Sequence, residues 1–112
     1  MDEEGNVKLC DFGWSVETNS TGVRDTYCGT YDYMPPEMIQ YKKYDSSLDI
    51  WCLGILLYEM THGKSPFHGK SDEETIRNIH NNKRTKCRET LSQAGRDLIK
   101  SVGLIPYSFS PE

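Results

Sequence analysis

Residues 46–63, SSLDIWCLGILLYEMTHG, constrain the fold more than any other stretch of this 112-residue chain. Ser46 or Ser47 can cap a helix, Asp49 falls in its first turn where a carboxylate suits the positive end of the helix dipole, and Gly63 can end it. Between these signals Leu48, Trp51, Leu53, Ile55, Leu56, Leu57 and Met60 go almost all the way round and cannot share one stripe. Such a helix expects neighbours on nearly every side. It is not a membrane span, because the apolar stretch at residues 50–60 is interrupted by Glu59 and is far shorter than the roughly 20 residues a span needs.

The segments around it are read from turn and capping signals. Gly5 and Asn6 tolerate positive φ and place a tight turn at residues 2–6, followed by a short strand at residues 7–9 that runs into Asp11. Residues 17–33 show no helical or alternating period and are rich in Ser, Thr, Asn, Gly and Asp; a loop of that length in a compact domain is usually functional. Pro35-Pro36-Glu37 suits the start of a short helix ending near Gln40, since Pro is tolerated in a first turn. Ser71 and Glu74 form a capping-box pattern ahead of a helix through Thr75, Ile76 and Ile79, and Ser92 caps a last helix through Leu98 and Ile99 to about Val102. Gly95 weakens that last helix by about 1 kcal/mol relative to Ala. Residues 103–112, with Pro106 and Pro111, carry no helical period and are expected to lie outside the fold.

Composition narrows the function classes. A chain with 36% hydrophobic and 27% charged residues is globular, and its net charge of −4 disfavours nucleic-acid or anionic membrane partners. Met1 is followed at once by Asp2, Glu3 and Glu4 with no basic or apolar segment behind them, which points to cytosol or nucleus. Cys10, Cys28, Cys52 and Cys87 lie far apart and His62, His68 and His80 form no ligand ladder beside them, so reduced thiols are expected rather than zinc or disulfides.

The chemistry-bearing residues form an ordered set. Asp11-Phe12-Gly13 alone is weak, because Asp-x-Gly is a common turn. It is preceded by Lys8-Leu9-Cys10 and followed by a long polar loop, Cys28-Gly29-Thr30, Tyr33-Met34-Pro35-Pro36-Glu37, and Asp49-Ile50-Trp51 at the start of the apolar helix with Gly54 inside it. This order resembles the C-terminal lobe of a eukaryotic protein kinase from the Asp-Phe-Gly motif onward. Trp14-Ser15-Val16 and the run from Arg24 through Thr26, Tyr27, Tyr31 and Asp32 to Tyr33 are similar to the Aurora group of serine/threonine kinases. The fold class implied is mainly α: residues 1–102 as a partial kinase catalytic domain with a short β-hairpin, an activation segment and four helices, in a parent α+β two-lobed fold.

The resemblance implies a role for each matching residue. A transferring phosphoryl group needs magnesium, a hard cation that takes oxygen ligands, and Asp11 would supply one beside ATP. Phe12 would pack to set the position of Asp11, and Gly13 would act as the hinge. Thr26 aligns with the activation-loop phosphorylation site, where a phosphate of roughly −1.5 to −2 charge orders the loop by pairing with arginines; Arg24 is one candidate. Thr18, Ser20 and Thr21 stay unassigned. Thr30 would support catalysis with a hydroxyl facing the catalytic loop, which disfavours tyrosine specificity, while Met34 and Pro35 would wall the pocket for the residue after the acceptor. Glu37 would form a buried ion pair with a later arginine. Asp49 would accept backbone hydrogens of the catalytic loop or serve only the helix dipole, and Trp51 would be structural.

The pattern also breaks. The Gly-rich loop, the strand lysine with its helix glutamate and the His-Arg-Asp catalytic loop have no match in residues 1–112, and the arginine expected for Glu37 is absent from the tail. An unpaired buried carboxylate costs several kcal/mol unless water reaches it. Three expectations therefore stand side by side: part of an ATP-dependent serine/threonine kinase that does not turn over as this isolated chain, a non-catalytic interaction module, or an incomplete gene model. A protein substrate and a regulatory protein on the activation segment are the partners implied, with a spindle or centrosome location by resemblance alone.

Overall fold

A computed structural model describes residues 1–17 and 30–104. Its regular structure is a 3-10 turn at Tyr31–Tyr33, then α1 at Pro36–Ile39, α2 at Ser47–His62, α3 at Asp72–His80 and α4 at Gln93–Ile99, continued by one π turn at Lys100–Leu104. The four helices expected from the sequence are all present. Thr26, Arg24, Thr18, Ser20, Thr21 and Cys28 lie outside the described residues, as do residues 105–112 of the tail.

The strand expected at residues 7–9 is not formed, which corrects the hairpin reading. Its turn does form: the Asp2 N–H donates to Asn6 O at 3.0 Å, the Gly5 N–H donates to Asp2 O at 3.1 Å, and Gly5 takes φ +85°. The Asp2 carboxylate also accepts the Asn6 N–H at 2.7 Å and the Asn6 side-chain amide at 3.0 Å, bonds that hold its carboxyl below the usual carboxylate range. Val7 and Leu9 are nevertheless exposed, and no strand pairs with them among the described residues. A strand exists only as part of a ladder, so a turn without a partner leaves extended chain.

The long helix starts and stops by different devices. Ser46 occupies the N-cap position but its side chain makes no capping bond; instead the Asp45 carboxylate accepts the Ser47 N–H at 2.9 Å. Capping thus falls to Asp45, a correction to the serine expectation. Its carboxyl is lowered by hydrogen bonds from the Ser47 side chain first and the Ser47 backbone second. At the other end Gly63 sits at φ +86° and its N–H donates to Glu59 O at 2.7 Å, the left-handed stop that glycine makes without strain.

Only one side of α2 is covered. Gly54, Ile55, Tyr58 and His62 are buried, whereas Ile50, Leu53, Leu56 and Met60 are exposed, Met60 at 68%. The spacing of the two sets puts them on opposite faces of the helix. The buried face meets Phe67, Ile79 of α3 and Ile99 of α4, with Tyr33, Ile39, Trp51, Leu57, Cys87, Leu91 and Val102 packed around that cluster.

Two shorter helices are capped as their sequences suggest. Ser71 Oγ accepts the Glu74 N–H at 3.2 Å, but Glu74 reaches back to the Lys70 N–H at 2.7 Å rather than to Ser71. The box is therefore displaced by one residue. Ser92 Oγ accepts the Gly95 N–H at 3.1 Å. The last helix stays α-helical to Ile99, not to Val102, because the chain widens into the π turn at Lys100–Leu104.

Candidate functional site

The Asp11 turn and the ledge at residues 30–37 are built separately. Residues 12–15 form a turn in which Phe12 O accepts both the Ser15 N–H at 3.0 Å and the Ser15 hydroxyl at 2.6 Å. The positive φ falls on Asp11 itself, at +63°, not on Gly13, where an added Cβ would meet only Asp11 Oδ1 at 3.7 Å. Asp11 is exposed, Phe12 is 65% exposed, and neither belongs to the core cluster. The carboxylate is thus presented to solvent on a short turn.

The ledge is anchored to α2. Thr30 precedes the 3-10 turn and its carbonyl accepts the Tyr33 N–H at 3.0 Å; its own side chain is exposed. Met34 is half-buried and Pro35 is buried, with Pro35 O accepting the Met38 and Ile39 N–H groups at 3.1 and 3.2 Å to start α1. The Tyr33 hydroxyl donates to the Glu59 carboxylate in a short hydrogen bond across the ledge and α2. Burial, followed by that bond and the charge of Glu59, pushes the Tyr33 phenol up to about 12. Cys52 Sγ donates to Tyr33 O at 3.5 Å, and burial raises its thiol as well.

Two further links surround this anchor. Trp51 stacks on Phe67 with centroids 5.6 Å apart and planes 13° apart, and its indole N–H has no partner among the described residues. His68 Nδ1 lies 3.4 Å from Asp32 Oδ1, tying the 3-10 turn to the loop after α2. Glu37 is half-buried and therefore reached by water, which removes the cost of a fully buried unpaired carboxylate. Asp49 is exposed in the first turn of α2.

Tyr33 and Trp51 thus pack against the same core cluster, whereas Asp11, Phe12 and Gly13 are exposed and outside it. No sequence motif points to Glu59, the hydrogen-bond partner of Tyr33. The signal it does carry is physical: a lone carboxylate inside an apolar helix requires a partner.

Among the described residues no group of three His, Cys, Asp or Glu side chains could hold a metal ion. Magnesium uses one or two carboxylates and fills its octahedron with phosphate and water oxygens. Asp11 fits as one such ligand, and the described residues do not supply a complete cage. Cys10, Cys52 and Cys87 are free thiols. No helix among the described residues is long and apolar enough to cross a membrane.

A helical arrangement with an Asp-Phe-Gly turn ahead of a Pro-Pro-Glu ledge defines the C-terminal part of a protein kinase. Comparison with known proteins agrees: residues 1–103 match the family described as protein kinase domain, and the chain belongs to that family. It is 53% identical to Aurora kinase C of Mus musculus over 75 residues, covering 67% of this chain and 27% of that protein. It is 46% identical to an Aurora kinase of Patiria pectinifera over 103 residues, covering 88% of this chain and 24% of that protein. It is 45% identical to Aurora kinase B-A of Xenopus laevis over 102 residues, covering 91% of this chain and 28% of that protein. The chain spans about a quarter of the length of these relatives.

Proposed function

We propose that this chain supplies the cation-binding carboxylate, the activation segment and the substrate-side ledge of an Aurora-like protein serine/threonine kinase, whose whole transfers the γ-phosphate of ATP to protein hydroxyls. The observation that carries the reading is the match over residues 1–103, in which Asp11-Phe12-Gly13 and the Tyr33 to Glu37 run keep the family's order. Magnesium and ATP supply the transferable phosphoryl group and the positive charge that stabilises it.

The chain's own residues divide the work. Asp11 contributes one oxygen ligand from an exposed turn. Tyr33, held by Glu59, fixes Met34 and Pro35 as the wall beside the acceptor, and Thr30 directs its hydroxyl toward the catalytic loop of the complete enzyme. Phe12 and Gly13 set the position of Asp11. Phosphorylation of Thr26 would regulate the segment, and Glu37, Asp49 and Trp51 hold it in place. A protein substrate, a regulatory partner and a cytoplasmic or nuclear site of action, including spindle or centrosome, belong to the same reading.

Phosphoryl transfer depends almost wholly on positioning and charge stabilisation, so a chain that offers one cation-ligand carboxylate and no match to the His-Arg-Asp base is expected to give no turnover. The test is a chimera in which residues 1–102 replace the equivalent stretch of mouse Aurora kinase C. The expected result is serine/threonine phosphorylation of a basic peptide, abolished by Asp11→Ala, while the 112-residue chain alone is inactive. A well-folded chimera that transfers no phosphate, or an Asp11→Ala chimera that stays active, would overturn the assignment.

A further inference from the structure

A cavity of about 230 Å³ opens on the far end of α2, and none of the ledge residues lines it. Its floor is apolar, made by Tyr58, Pro66 and Ile99, and its remaining wall carries Arg84, Lys86, Arg96 and Lys100, with no carboxylate among the described lining residues. The ion pairs Lys8–Asp2 and His68–Asp32 lie elsewhere, and Lys86, Arg96 and Lys100 form none among the described residues. Lys86, Arg96 and Lys100 gathered beside one apolar hollow, in a chain of net charge −4, concentrate positive charge locally.

The wall is held in place before any ligand arrives. The Tyr58 hydroxyl lies 3.0 Å from Thr85 O and 3.1 Å from Lys86 O, and the Thr85 N–H donates to Pro66 O at 2.8 Å. The Arg88 N–H donates to His62 Nε2 at 3.0 Å, which leaves His62 Nδ1 to carry the ring proton toward Tyr58 O at 3.0 Å. The His62 ring stacks on Tyr58 with centroids 3.8 Å apart. A hollow tethered at three points loses little entropy when filled.

Size and charge select the occupant. The volume falls below the roughly 300–1,000 Å³ typical of drug-sized ligands, so one large side chain fills it. The cations come from two elements, the segment after α3 and the end of α4, and so suit several anions spread along a chain. We propose that this cavity is a docking site for an acidic segment of a partner protein, which inserts one aromatic or large aliphatic side chain onto Tyr58 and Ile99 while its carboxylates pair with Lys86, Arg96 and Lys100.

The test uses the full chain and a fluorescein-labelled peptide of one phenylalanine between two runs of glutamate, followed by anisotropy. Saturable binding that weakens with added salt is expected. Replacing the phenylalanine by glycine, or introducing Lys86→Glu with Lys100→Glu, should each weaken it by about tenfold or more, while Lys86→Arg with Lys100→Arg preserves it. Both lysines are exposed, so the helical circular-dichroism signal should not change. If the charge-reversed chain does lose that signal, the glycine peptide and the salt dependence decide. No saturable binding, equal binding of the glycine peptide, or full competition by phenylacetate at equal concentration would overturn the proposal, the last by making the cavity a small-acid site.

Discussion

Tyr33 and Glu59 carry the polar link between the ledge and α2, and their chemistry sets a pH window. The phenol ordinarily titrates at 10.0 and is pushed up to about 12 in the folded chain. Below 10 it is protonated folded or unfolded, and the bond contributes fully. Between 10 and about 12 the unfolded chain releases its proton first, so stability falls as pH rises. Tyr33→Phe should flatten that slope, and at neutral pH it should cost about 1 kcal/mol by leaving Glu59 without its donor. Denaturant melts of both proteins across the window check the sign. Gly69 makes a second demand at this scale: an added Cβ would lie 2.7 Å from Glu74 Cβ and 2.8 Å from Thr75 N. Gly69→Ala should therefore destabilise by about 1–3 kcal/mol in thermal melts, since backbone stands in the way.

Among the elements, capping is where local chemistry is most testable. Ser71→Ala should cost about 1 kcal/mol, because Ser71 Oγ holds the Glu74 N–H. Ser46→Ala should change little, while Asp45→Ala should lower stability, since the aspartate holds the start of α2. The lowered carboxyl of Asp45 gives the sign of its pH dependence: its contribution is present above the ordinary value of 3.8 and is lost as pH falls through the folded value. Gly95→Ala gains helix propensity of about 1 kcal/mol, but its Cβ would meet Leu91 Cγ at 3.1 Å and the capping Ser92 Oγ at 3.3 Å. The two effects should nearly cancel. All four helices were legible in the sequence, because periodicity, Ser71, Ser92 and Gly63 act within a turn of their own backbone. The strand at residues 7–9 was not decidable, because pairing depends on a partner outside the segment. On the candidate site, the order of Asp11, Thr30 and Glu37 was legible as a motif, but the Glu59 anchor was not, since its partner lies 26 positions away.

For the molecule as a whole, the uncovered face of α2 dominates solution behaviour. Ile50, Leu53, Leu56 and Met60 form an exposed apolar stripe, and burying such side chains is worth roughly 1.5–3 kcal/mol each. That total is comparable to the stability of a domain, so the isolated chain should be marginal and should self-associate as concentration rises. Leu53→Lys with Met60→Lys should reduce that association with little loss of helical signal, measured by sedimentation velocity and circular dichroism. A wild-type chain that stays monomeric at high concentration and melts sharply and reversibly would contradict this account. The sequence by itself determined the helices, most of their caps and the kinase order of motifs, because each rests on residues within a few positions of one another. Only the tertiary structure decided which face of α2 is covered, that Asp45 takes the capping role, that Tyr33 leans on Glu59, and that Lys86, Arg96 and Lys100 gather beside one apolar hollow. These depend on contacts such as Tyr58 with Thr85, which are 27 positions apart and exist only once the chain has closed on itself.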